Sequence, residues 1–109
     1  MAITNIIPAR AMSSTQTTQY TSAGFKTVVS KLTVTNTGTS NTVFNVNLVS
    51  AKDTPNSGNL IISQRTIAPK ETYTCPEMVG QVIGVNGYIS TLAGSSGTLT
   101  ISAAGDQIA

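Results

Sequence analysis

The chain has 109 residues, 39% of them hydrophobic, enough to bury one modest core and too few for two domains of ordinary size. Six lysines and arginines face four aspartates and glutamates, a formal net charge of +2, and charged residues are only 9% of the chain against about 25% in an average soluble domain. There is no histidine, so a Ser-His-Asp triad, a Cys-His dyad and a His-bearing zinc site cannot be built from this chain alone, and the single cysteine, Cys75, allows no internal disulfide. The few basic residues form no cluster of the kind a nucleic-acid surface needs.

The start, MAITNIIPARAMSS, lacks a basic leader followed by an apolar run, and no apolar stretch approaches the ~20 residues of a membrane span. Export by a cleaved signal and membrane insertion are therefore not expected. Residues 1–23 differ in texture from the rest: Ile3, Ile6 and Ile7 stand ahead of Pro8, and a polar run, SSTQTTQYTS, follows. This segment reads as an extended N-terminal arm with a strand expected near Thr17 to Thr21. The three isoleucines and Pro8 form a small apolar patch that water disfavours on a free tail. The expectation is that the arm orders by lying on a neighbouring subunit, and that its removal leaves a folded domain unable to assemble.

From residue 24 to 109 the pattern changes to short β-branched runs separated by turn residues every 8 to 12 positions or so, the signal of an all-β sandwich or barrel. Between Phe25 and Asn36, alternation places Val28, Leu32 and Val34 on one face. Between Thr42 and Ser50 it does the same for Phe44, Val46 and Leu48. The intervening Asn36-Thr37-Gly38-Thr39-Ser40-Asn41 predicts an antiparallel hairpin. Further strands are expected near Leu60 to Gln64, from Thr72 to Cys75 where Pro76 ends the ladder, near Tyr88 to Leu92, and from Thr98 to Ser102 with Leu99, Ile101 and Ala103 inward. Gly94-Ser95-Ser96-Gly97 reads as a second hairpin loop. The sum is a single antiparallel β-sandwich of about six to seven strands, immunoglobulin-like or jelly-roll-like.

Few residues invite chemistry. Cys75 has Glu71 and Glu77 for neighbours, which raise rather than lower a thiol pKa, so a packed structural cysteine is expected. Glu71 and Glu77 read as surface carboxylates rather than a glycosidase pair. Asp53 and Asn56, in the Asp53-Thr54-Pro55-Asn56-Ser57-Gly58 loop, read as turn-building side chains rather than calcium ligands. Tyr20, Tyr73 and Tyr88 could stack on sugars only if they shared a face. No catalytic, cofactor-binding or metal-binding residue is assigned, and no cofactor is expected.

Three successions carry a resemblance. Ser22-Ala23-Gly24-Phe25-Lys26-Thr27-Val28-Val29 is followed by Leu32-Thr33-Val34-Thr35-Asn36-Thr37-Gly38 and by Phe44-Asn45-Val46-Asn47-Leu48-Val49. Later, Thr66-Ile67-Ala68-Pro69-Lys70-Glu71-Thr72-Tyr73, Val82-Ile83-Gly84-Val85-Asn86-Gly87-Tyr88-Ile89 and Ser95-Ser96-Gly97-Thr98-Leu99-Thr100-Ile101-Ser102-Ala103-Ala104-Gly105 continue it. Together they resemble a small immunoglobulin-like β-sandwich module of tailed-bacteriophage virions, over about Thr21 to Ile108. Lys70 stands where that module's first turn has glycine, and Asn86-Gly87-Tyr88 lacks the acidic residue of its second. The resemblance implies a non-enzymatic structural subunit (capsid decoration, neck or collar, or tail-associated), made in the host cytoplasm and located in the virion. Its implied partners are other copies of itself and neighbouring virion proteins, with no nucleic acid and no membrane. The alternative is a receptor- or carbohydrate-binding, adhesin-like module using loops at one end of the sandwich.

Overall fold

A computed structural model describes residues 3–108 as an all-β sandwich of two antiparallel sheets. Nine strands follow one another: β1 (Ile3–Ala11), β2 (Thr17–Thr21), β3 (Lys26–Asn36), β4 (Thr42–Val49), β5 (Leu60–Ile67), β6 (Thr72–Tyr73), β7 (Val82–Ile83), β8 (Tyr88–Ala93) and β9 (Leu99–Ile108). The only helical element among the described residues is one 3₁₀ turn, Ser57–Asn59, between β4 and β5. The first sheet runs β1-β9-β3-β6, with β7 also pairing β3, and the second runs β2-β8-β4-β5. Apart from the fragment β7, this wrapping, in which the chain changes sheet at almost every connection, is a jelly-roll order rather than an immunoglobulin one.

Two expected hairpins are corrected by this topology. β3 and β4 belong to different sheets, as do β8 and β9, so the Asn36 to Asn41 and Gly94 to Gly97 segments are arches across the sandwich. The hairpin actually present is β4–β5, paired from Thr42↔Ile67 to Asn47↔Leu60. The physical reason is that alternation reports which face of a strand is apolar. A strand with one apolar face is satisfied equally by an edge-to-edge neighbour or by a face-to-face one. Asn36 anchors the first arch from inside: its side chain is fully buried, donates to the Ser40 and Ile67 carbonyls and accepts from the Gly38 amide.

The boundary expected at residue 23 is also corrected, because β1 and β2 are strands of the sandwich. β1 pairs with β9 from Ile3↔Asp106 to Ala11↔Thr100, and β2 pairs with β8. Ile6, Ile7 and Met12 are buried in the core with Val29, Leu32, Val34, Phe44, Val46, Ile62, Ile67, Ile83, Ile89, Leu99 and Ile101. Two members of the apolar patch that water disfavours on a tail, Ile6 and Ile7, thus find their cover in the chain's own core, while Ile3 and Pro8 stay exposed.

Inward residues follow the expected alternation except at one place. Ser30 is an extra residue in β3, where the register with β9 shifts between Val29 and Lys31. This bulge turns Val29 and Thr27 inward and leaves Val28 half-exposed on the outer face, while Leu32 and Val34 remain in the core. Leu48 is half-buried and packs against the core edge. On β9 opposite the bulge sits Gly105, where an added Cβ would lie 2.6 Å from the Val28 carbonyl oxygen, so the strands can approach only with glycine there.

Candidate functional site

The outer face of the first sheet is the most distinctive exposed surface of the chain. Register places Ile3 of β1, Asp106 of β9, Val28 of β3 and Val82 of β7 side by side in one row. The next row pairs Ile108 with Lys26. Ile3 is 66% exposed, Val82 53% and Ile108 38%. One end of the sheet therefore shows water a band of aliphatic side chains, interrupted by Asp106 between Ile3 and Val28 and bordered by Lys26 beside Ile108. Towards the other end the face turns polar, through Lys31, Thr33, Ser102, Thr35 and Thr100, with the Thr35 and Thr72 hydroxyls hydrogen-bonded at 2.8 Å. Two more exposed valines, Val79 and Val85, lie in the connections on either side of β7.

Of the four residues expected to form a docking arm, only Ile3 belongs to this surface. Ile6 and Ile7 are buried, and Pro8 is exposed on the edge strand β1, where its missing amide proton breaks no ladder bond that the sheet needs. Val28, Val82 and Ile108 were not expected there. A valine pair flanking two residues, as in Val82-Ile83-Gly84-Val85, was the available signal, but a two-residue strand is too short for alternation to register.

The remaining candidates serve structure. Cys75 is fully buried at a positive φ of 47°, and burial, assisted by the nearby Glu77 carboxylate and opposed by Arg65, pushes its thiol up to about 12. A thiol held neutral that far above physiological pH is a poor nucleophile. Glu77 accepts the Tyr73 hydroxyl at 2.8 and 2.7 Å, and Glu71 accepts the Ala68 amide at 2.8 Å, so each carboxylate closes a local turn. Burial and the bond to Glu77 raise the Tyr73 pKa, and the Arg65 guanidinium lies 4.2 Å from the centre of the Tyr73 ring. Asp53 accepts the Thr54 amide and Asn56 the Gly58 amide, which is turn-building of the expected kind.

The three tyrosines share no face. Tyr20 points between the sheets to Thr27 and Gln107, Tyr73 lies between Phe44 and Arg65, and Tyr88 donates to the Asp53 carbonyl. Among the described residues no group of three or more His, Cys, Asp or Glu side chains is placed to hold a metal ion, and no helix is long and apolar enough to cross a membrane. No family model, curated protein or solved structure matches this chain.

Proposed function

We propose that the chain is a non-enzymatic structural subunit of a tailed-bacteriophage virion, a capsid decoration, neck or collar, or tail-associated protein, working by self-association and by docking on neighbouring virion proteins. The observation that carries this reading is the aliphatic band of Ile3, Val28, Val82 and Ile108 on the outer face of the first sheet. Covering it removes apolar area from water at about 25 cal/mol per Å². The charges on the same face suit a second copy: across a two-fold axis, Lys26 or Lys31 of one subunit meets Asp106 of the other. The weakly charged composition and the jelly-roll order agree with this reading. Jelly rolls recur in viral capsids, an analogy of fold rather than of site.

Size-exclusion chromatography with light scattering tests it. The wild-type chain is expected to form a multimer, and Val82→Asp a monomer that melts at an unchanged temperature, since Val82 contributes little to the core. A wild-type chain that stays monomeric at high micromolar concentration, or a Val82→Asp multimer, overturns the assignment of this face.

A further inference from the structure

The opposite side of the sandwich carries a different kind of surface. On the outer face of the second sheet, a depression of about 210 Å³ lies beneath the loop between β4 and β5, lined by Gln16, Asn45, Asn47, Asn56, Ser57, Pro55 and Leu60. Four of these seven are amides and none is charged. Asn47, only 4% exposed, forms the floor: its Nδ2 donates to the Asn56 carbonyl and to Asn59 Oδ1, and its Oδ1 accepts from Gln16 Nε2. Gln16 Nε2 also donates to Ser90 Oγ at 2.8 Å, and Asn45 Oδ1 accepts the Gln64 amide. These bonds fix which end of each rim amide is spent. Among the described residues they leave Gln16 Oε1 as an acceptor and Asn45 Nδ2 as a donor on lining residues, with the Ser57 hydroxyl in the same lining.

We infer that this depression is a binding site for a neutral, hydroxyl-rich ligand, a single uncharged sugar ring at the end of a glycan. A fixed donor and a fixed acceptor in one lining suit adjacent hydroxyl groups, each of which can both give and take a hydrogen bond. Pro55 and Leu60 supply the apolar contact on which the C–H face of such a ring rests. An anionic sugar would bury its charge against amides with no cation in the lining. An extended peptide finds no partner for its backbone, because β4 is bonded on one side to β5 and on the other to β8. The site is shallow and lacks an aromatic platform, so one copy binds weakly, in the millimolar range, and useful avidity comes from many copies displayed together. The inference stands independently of the self-association reading, although a subunit docked by its first sheet would present this face outward.

The test is a side-chain and backbone amide NMR titration of the full chain with D-glucose, D-galactose and N-acetyl-D-glucosamine, and with D-glucuronate and a Ser/Thr-rich peptide as comparators. At least one neutral sugar is expected to give saturable shifts centred on Gln16, Asn45 and Ser57. Asn45→Asp keeps the oxygen that accepts the Gln64 amide but removes the donor, and should weaken binding by about tenfold or more. If that variant melts early, the exposed rim substitution Ser57→Lys serves instead and should weaken binding likewise. The absence of saturable shifts with all three neutral sugars, shifts retained in the folded variants, or saturation only by glucuronate or the peptide overturns the inference.

Discussion

The two flanks of the first sheet do the same task by different means. On one side of the central β3–β9 pair lies β1, nine residues long, laddered to β9 along its length and pinned by Ile6 and Ile7. On the other side there is no comparable strand: β6 and β7 contribute two residues each, and the connection between them plugs the gap with side chains, Cys75 and Met78 both fully buried. Gly80 donates to the Val29 carbonyl, and Val29 donates to Gln81, so even the ladder is patched across the β3 bulge. A continuous flank spreads its stabilisation over many backbone bonds and a few large side chains. A broken flank concentrates it in particular side chains and in backbone conformations that few residues adopt willingly, such as φ of 47° at Cys75 and 67° at Lys70.

The largest expected effect breaks the continuous flank. Removing Ala2 to Ser14 takes three core residues, Ile6, Ile7 and Met12, and bares the edge of β9, so the truncated chain should fail to fold rather than fold without assembling. Ile7→Ala alone should cost about 2–5 kcal/mol in a denaturant titration, a large share of a small domain's stability. A cooperative, wild-type-like melt for either variant would show that β1 is not integral to the core.

The next effect belongs to the broken flank and depends on pH. Because the folded thiol of Cys75 ionises only near 12 while the unfolded one ionises near its ordinary value of 9.0, the unfolded state sheds its proton first, and stability should fall as pH rises between those values. Below pH 9 the thiol contributes no slope. Tyr73, whose pKa is also raised, acts in the same direction at the upper end of this window. Chemical denaturation at several pH values should show a shallower alkaline decline in Cys75→Ala than in wild type, and an identical decline would locate the burial cost elsewhere. The smallest effect is a gain: Lys70→Gly relieves a left-handed backbone and should add about 0.5–1 kcal/mol, with a loss indicating that the Lys70 side chain has a use that its weak 3.4 Å contact with the Thr37 carbonyl does not reveal.

The sequence discloses these two flanks unequally. Alternation in Leu32 and Val34, Phe44 and Val46, and Leu99, Ile101 and Ala103 identifies inward faces correctly, because each run is long enough for a period of two to show. It is silent about which strand neighbours which, and this is why two arches pass for hairpins. β1 escapes notice since seven of its nine residues are exposed and its only buried pair, Ile6 and Ile7, is adjacent in sequence, which no alternation produces without the register shift between Asn5 and Ile7. The aliphatic band was equally hidden, as it is assembled from four strands that contribute one side chain apiece. The amide depression depends on a loop folding back over β4, and Asn47 reads from sequence as one more outward polar residue.

The placement of β9 bears on how the molecule is made. It is the strand on which both β1 and β3 lean, yet the ribosome delivers it after all the others, and Ile3 waits for Asp106 across nearly the whole length of the chain. Until then the first sheet lacks its middle, with the edge of β3 unpaired and the N-terminal isoleucines uncovered. Such non-local pairing folds slowly, on the order of milliseconds to seconds. The half-made chain must stay soluble in the meantime, and its sparse aliphatic runs, broken by threonine, serine and asparagine, suit it to that wait.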